Sequence, residues 1–264
     1  MAEAPTFGEL TDAQFERYAR HLILDEVGEA GQAKLLAARV LVVGAGGLGS
    51  PVALYLAAAG IGTLGLVDFD KVDVTNLQRQ IVHAQESVGM RKVDSAAATL
   101  RRLDPAIRIE THDTKVGPDN VASLVARYDL VVDGSDNFAT RYLVHDACYF
   151  AKRPLVSGAL LRFEGQLSTF KAHEGRHSCY RCLFPAPPPA DLIPRCEEAG
   201  ILGSVAGVIG TLQATEVLKE ILGLGTSLAG SLLIYDALDT QFRRIKVPRD
   251  PGCALCGDRP TIVA

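Results

Sequence analysis

Val40-Leu41-Val42-Val43-Gly44-Ala45-Gly46-Gly47-Leu48-Gly49-Ser50-Pro51 opens on four apolar, mostly β-branched residues and runs into a glycine-rich turn. A short apolar run of this kind reads as a buried strand, and Leu48–Ala59 reads as a helix that starts directly after the turn. Small residues at Gly44, Gly46, Gly47 and Gly49 let backbone amides approach an anion, and the start of a helix favours negative charge. Asp68 ends the next apolar run, Thr63–Val67, 19 residues after Gly49. A carboxylate so placed accepts hydrogen bonds from ribose hydroxyls, so turn and acid together predict a nucleotide site at a strand end. Without a ligand, the same pattern would be a close-packing turn between strand and helix. A Walker A loop is disfavoured, because Ser50 follows Gly49 with no lysine before it.

Outward from this turn, apolar runs near Ile107–Thr111, Leu130–Val132 and Leu155–Ser157 alternate with helical segments over Lys92–Leu103, Asp119–Tyr128 and Ala139–Phe150. Such alternation predicts an α/β fold, a Rossmann-like doubly wound sheet that is parallel in its N-terminal part. Upstream, Thr11 caps a helix with Phe15, Tyr18 and Leu22 at helical spacing, and Leu35–Ala38 ends a second helix. Beyond residue 158 the pattern changes. Glu164–Phe170 reads as a strand, Gly203–Leu222 as a long apolar helix, and Ser231–Asp236 with Gln241–Val247 as a hairpin, so the sheet turns antiparallel late in the chain. Prolines from Pro185 to Pro194 exclude a regular helix or central strand, and residues 183–200 read as a mobile crossover loop. No repeat or linker appears, so residues 1–264 read as one domain.

Apolar residues at 48% and charged residues at 22% fit a globular chain rather than a disordered one. A net charge of −4 argues against non-specific nucleic-acid binding, which needs many cations. No charge occurs between Arg39 and Asp68, but seven glycines and Pro51 break that stretch, so it is no membrane span. The first residues lack the basic start and apolar run of a secretory signal, and the expectation is a soluble, cytoplasmic protein. Four of the six cysteines form Cys-x-x-Cys pairs, Cys179/Cys182 and Cys253/Cys256, with 70 residues between the pairs. Four thiolates close a tetrahedral zinc shell and leave no position for water, which makes the expected metal structural. Such sites contribute ~10–16 kcal/mol in peptides, comparable to the net stability of a domain. Cys148 lies in an apolar helical stretch and reads as buried. Cys196, beside Arg195 at the end of the proline-rich segment, reads equally as a nucleophile or as an inert thiol.

The charged residues shift the reading from nicotinamide chemistry toward phosphate chemistry. Asn76-Leu77-Gln78-Arg79-Gln80 lies just beyond the Asp68 strand end, and Lys92 starts a helix. Hydride transfer needs neither cation, whereas transfer at phosphorus must neutralise charge on the reacting phosphate and on leaving pyrophosphate. Each taken alone fits a solvated turn or a surface lysine; their shared position after strand ends favours the joint functional reading. Asp133-Gly134-Ser135-Asp136-Asn137 follows another strand at the same edge. A hard cation bridging phosphates needs a carboxylate there, and Asp136 is the candidate for magnesium. The competing reading is an Asx turn, with Asn137 capping the following helix.

Over residues 10 to 258 the chain resembles the MoeB/ThiF/HesA family of ubiquitin-activating-enzyme-like adenylyltransferases, and most closely its MoeB-type members. The resemblance rests on Arg17-Tyr18-x-Arg20, Gly44–Gly49, Asp68-Phe69-Asp70, Asn76–Gln80, Gly89-x-x-Lys92, Ser135-Asp136-Asn137, Val156–Ala159, Glu164-Gly165-Gln166, Gly207–Gly210 and both cysteine pairs. It implies that Gly46 and its neighbours line ATP, Asp68 holds the ribose, and Arg79 and Lys92 face the phosphates. Asp136 would handle magnesium, with Asp70, Asn76, Gln80 and Asn137 around it. It further implies a homodimer, to which the helices of residues 1–38 contribute and in which Arg20 enters the partner's site. The implied reaction is ATP-dependent adenylylation of the C-terminal Gly-Gly carboxylate of a ubiquitin-like sulfur-carrier protein. Thiocarboxylate formation for molybdopterin, thiamine or thiolated-tRNA synthesis would follow, with sulfur from a separate cysteine desulfurase or rhodanese-type donor. Cys196 matches a cysteine that ThiF-type members use in acyl linkage and MoeB-type members do without. Two rival functions are an NAD-dependent oxidoreductase, carried only by the glycine turn and Asp68, and a catalytically silent scaffold that binds a carrier protein.

Overall fold

A computed structural model describes residues 10–187 and 200–263. The expected crossover loop of residues 183–200 falls mostly outside the described residues. Eight strands form one sheet in the order β3-β2-β1-β4-β5-β6-β7-β8. They are β1 Arg39–Val43, β2 Thr63–Val67, β3 Arg108–His112, β4 Leu130–Asp133, β5 Leu155–Leu161, β6 Glu164–Phe170, β7 Ser231–Asp236 and β8 Gln241–Lys246. Strands β1 to β5 pair in parallel, and β5 to β8 pair antiparallel. The expected change of direction late in the chain is therefore present.

Period-2 alternation divides the central strands between two cores. Val40, Val42, Leu64, Leu66, Leu130 and Val132 pack with α2 (Gly28–Ala37), α3 (Gly49–Ala58), α4 (Lys92–Leu103) and α8 (Gly203–Leu222). Leu41, Val43, Val67 and Val131 pack with α5 (Val121–Ala126) and α6 (Phe138–Phe150) on the other face. Because both faces are covered, these strands are apolar at nearly every position. At the amino end, α1 (Asp12–Leu22) starts in a capping box of Thr11 and Gln14. The short α7 (Tyr180–Leu183) follows Cys179. Among the described residues, no helix is long and apolar enough to cross a membrane.

Two elements depart from their expected bounds. Helix α5 is shorter than Asp119–Tyr128. The Asn120 side chain accepts from the Gly117 amide and holds a turn before the helix, while Tyr128 leaves it to bury its ring against β2 at Gly65. Strand β5 runs on to Leu161 because β6 pairs with it along its whole length. Both are tertiary effects that local pattern does not carry.

The glycine turn is where strand, helix and neighbouring loop meet. Gly44 has φ +90°, in the left-handed region that favours glycine, and lies against the Gly134 carbonyl. A Cβ on Gly49 would overlap the Gly44 carbonyl oxygen, whereas one on Gly46 would meet nothing closer than Gln80 Nε2 at 3.7 Å. Gly49→Ala should therefore lower unfolding free energy in urea by about 2 kcal/mol or more, and Gly46→Ala by less than about 1 kcal/mol. Equal losses in the two variants would contradict this assignment of roles.

Candidate active site

The order β3-β2-β1-β4-β5 reverses direction between β1 and β4, and sheets of this type bind ligands at that carboxyl-end crevice. A cavity of about 1020 Å³ opens there. Gly44, Gly46 and Gly47 line it from the turn after β1, Asp68 and Asp70 from the end of β2, and Asp136 and Asn137 from the end of β4. Arg79, Gln80 and Lys92 line it as well. Residues from five separate stretches of sequence thus converge on one space.

Each acid in the cavity has a distinct electrostatic situation. Asp68 accepts from the Ala45 amide and from the Asp70 amide, both at 2.9 Å, so its carboxylate is fixed while each oxygen keeps a second lone pair. Asp70 pairs with Lys92 Nζ at 2.8 Å, and the Lys92 side chain is only 8% exposed. Asp136 is exposed and, among the described residues, receives only a long Asn137 contact of 3.4 Å, so acceptor oxygen remains for a hard cation. Arg79 donates to the Thr75 carbonyl at 2.9 Å, which hangs it from the short turn of residues 74–76.

The loop bearing Asp136 is held from beneath. Asp133 is fully buried and accepts from the Ser135 amide at 2.9 Å, the Ser135 hydroxyl at 2.6 Å and the Ser157 hydroxyl at 2.9 Å. Its carbonyl accepts from buried Gln213 of α8 at 2.9 Å. A buried carboxylate is costly unless so paired. Asn137 caps α6 through the Thr140 amide, so the capping role proposed for it coexists with its place in the cavity lining.

Three expected site residues stand elsewhere. Gly49 serves the close packing of the turn and does not line the cavity. Asn76 accepts from the Asp73 amide at 3.1 Å in a capping box, and it does not line the cavity either. Arg20 lies exposed on α1, whose neighbours Tyr18 and His21 bond Asp104 and Gln32 toward the amino edge of the sheet, away from the cavity. Cys196 lies outside the described residues.

A family model described as ThiF family matches residues 18–255. The chain belongs to the ThiF family. It is 53% identical over 263 residues to the adenylyltransferase and sulfurtransferase MOCS3 of Sus scrofa, covering 99% of this chain and 57% of that protein. It is 48% identical over 254 residues to the sulfur carrier protein adenylyltransferase of Thermus thermophilus, covering 95% of this chain and 94% of that one. The chain thus spans little more than half the length of its MOCS3 relatives. Its fold is similar to that of E. coli MccB crystallised with MccA-N7isoASN. The TM-score is 0.81 at 22% identity, with 95% of this chain and 76% of that one covered.

The sequence carried less signal for other parts of this ThiF-family site. Phe69, the segment Thr114–Asp119, Leu160 and Ile201 also line the cavity. The segment 114–119 follows β3 at the same carboxyl edge, so the strand-end rule alone would have found it. His83 lies in no metal or nucleophile pattern. Its Nε2 lies 2.9 Å from the Ala45 carbonyl, which can only accept, so Nε2 carries the proton and Nδ1 accepts from the Ser95 hydroxyl at 2.9 Å. One buried imidazole therefore ties the glycine turn to α4, three residues along from Lys92. Burial holds its pKa below the ordinary 6.5; nearby Lys92 acts in the same direction, against the Ala45 carbonyl and Asp68.

The cysteine pairs meet as expected. Cys179, Cys182, Cys253 and Cys256 place their sulfur atoms within 4.8 Å of one another. Contacts of 3.8, 3.5 and 3.4 Å approach the ~3.8 Å edge of a tetrahedron with 2.3 Å zinc–sulfur bonds. The Asp250 amide donates to Cys182 Sγ, and Arg249 holds the Cys256 carbonyl. Hydrogen bonds from Cys179 and Cys182 pull Cys256 down to about 5, while Cys179 itself is pushed up, first by its bond toward Cys256. The donor set fits a divalent metal. Cys148 is 1% exposed and buried as expected.

Because folding lowers the His83 pKa, the unfolded chain binds more protons just below 6.5, so this group's stabilising contribution is complete above 6.5 and lost as pH falls. Thermal melts from pH 8 to pH 5 should show a smaller acid-side decline for His83→Gln than for the unsubstituted protein. Parallel curves would remove His83 from this role.

Proposed function

We propose that the protein adenylylates the C-terminal Gly-Gly carboxylate of a small ubiquitin-like sulfur-carrier protein, using ATP with magnesium. The observation that carries this reading is the convergence of Arg79, Lys92 and Asp136 on the cavity of the glycine turn. The names borne by the Thermus thermophilus and Sus scrofa relatives support it. An NAD-dependent oxidoreductase would use the turn and Asp68 but leave both cations and Asp136 without work.

The carrier carboxylate attacks the α-phosphorus, and the bond to the oxygen bridging the β-phosphorus breaks. This yields an acyl-adenylate and pyrophosphate. Amides of the glycine turn receive phosphate oxygens, and the spare lone pairs of Asp68 accept ribose hydroxyls. Lys92 exchanges Asp70 for a phosphate oxygen, and Arg79 offsets charge that grows on the leaving pyrophosphate. Asp136 would hold magnesium, which when bound screens the phosphate oxygens. Asp119 also lines the cavity, on the wall beyond β3, with no partner among the described residues.

The four cysteines would hold zinc, which ties residues 253–256 to the segment after β6. In its own chain Arg20 faces away from the cavity, so a role there requires a second copy, and the proposed active unit is a homodimer. A cysteine desulfurase or rhodanese-type donor is proposed for the sulfur step, and the whole is read as one adenylyltransferase domain.

Labelled pyrophosphate should exchange into ATP only when a Gly-Gly carrier is present. Arg79→Ala and Asp136→Ala should each slow that exchange about a hundredfold or more without changing the circular dichroism spectrum. Tight NAD binding without exchange on any carrier would overturn the reading. Elemental analysis should find one zinc per chain, lost together with several degrees of melting temperature in Cys182→Ser or Cys256→Ser. A chelated sample that melts unchanged would count against a structural metal.

A further inference from the structure

A second cavity, of about 450 Å³, lies beside the start of β7 and the end of β8. Lys246 pairs with Ser231 there, and the neighbouring end of β6, Phe170, pairs with Leu155, the first residue of β5. That is the amino edge of the parallel strands, opposite the cavity at the glycine turn. Its charged lining has one sign, Arg176, Arg244, Lys246 and Arg249, with the His177 ring beside them and no carboxylate among the lining residues.

Alternation along β8 sets Arg244 and Lys246 on one face. Lys246 has no hydrogen bond or ion pair among the described residues, and Arg244 donates only to the Ser227 carbonyl at 3.0 Å. Arg176 and Arg249 are partly balanced, by Glu174 and Asp258. The orientation of His177 adds an independent donor. Arg176 Nε donates to His177 Nε2 at 3.1 Å, so Nε2 is the acceptor and Nδ1 carries the proton. That Nδ1 lies over Gly230, where even a Cβ would come within 3.6 Å of it, and it has no partner among the described residues. Gly230 has φ +76°, so the bare floor is also a backbone position that favours glycine.

An imidazole N–H, a guanidinium and an ammonium therefore converge from three directions, while the Glu174 carboxylate stands 3.7 Å from the other ring nitrogen of His177 and does not line the cavity, in a chain whose net charge is −4. A planar carboxylate is satisfied by one guanidinium fork, whereas donors from several directions suit a tetrahedral oxyanion. The volume lies within the range of small-ligand sites. The geometry points to a second binding site, for a phosphate group, at the amino edge of the sheet. The ligand is inorganic phosphate, pyrophosphate or the phosphate end of a nucleotide, and the site does not rest on the adenylylation reading.

Amide shifts of Gly230 and Ser231, followed by nitrogen–proton NMR at low ionic strength, report this site alone. Titration of the full chain with phosphate, pyrophosphate and AMP in separate arms should saturate those shifts, and the tightest arm identifies the source. Arg244→Ala/Lys246→Ala should weaken binding at least about tenfold. Arg244→Lys/Lys246→Arg should retain it, and so should Arg79→Ala, which alters only the other cavity. Added salt should weaken it in step with screening. Shifts that never saturate in any arm, that survive the double alanine change, or that vanish with Arg79→Ala would overturn the proposal.

Discussion

The contact between two backbone turns sets the geometry of the carboxyl edge. Gly44–Gly49 after β1 and Asp133–Asp136 after β4 meet where Gly44 faces the Gly134 carbonyl and Gly134 faces the Gly49 amide. A Cβ at Gly44 or Gly134 would come within 3.1 or 3.2 Å of the facing backbone, so the turns pack backbone against backbone. The cavity-lining glycines and the acid proposed for magnesium consequently share one frame. Buried Asp133 locks that frame from below through Ser135 and Ser157, and Gln213 extends the lock to α8. Removing one partner there would strand a charge in the core, a far larger loss than any single surface bond.

Much of this was legible from spacing. Strands buried on both faces leave unbroken apolar runs, and glycine turns and cysteine pairs are local patterns, so the sheet, its change of direction and the cysteine cluster could be read directly. The convergence of Arg79, Lys92 and Asp136 followed from the rule that ligands gather at strand ends. What escaped was set by distant partners. Nothing near His83 announces its bonds to Ala45 and Ser95, which join segments 38 and 12 residues away. Asn76 carries the motif chemistry of a site residue but is spent on capping its own turn. Asp133 resembles its neighbour Asp136 in sequence, and only burial separates a structural acid from an exposed one.

The cationic groups at the cavity are also unequal. Lys92 is nearly buried and already balanced by Asp70, so a phosphate in the proposed reaction would replace one anion by another rather than meet an isolated ammonium. That exchange limits the cost of keeping a lysine beneath the surface. Among the described residues Arg79 bonds only a carbonyl, so its charge is available without exchange.

The His83 bridge has a mechanical corollary. Glycine turn, imidazole and the first turn of α4 are joined by hydrogen bonds on both ring nitrogens, so the wall that carries Lys92 behaves as one stiff block. The opposite arm, Arg79 on its three-residue turn, is pinned by a single carbonyl contact. In the proposed reaction, adjustment to the length or tilt of a triphosphate would then come from the arginine side, with the lysine side as the fixed jaw.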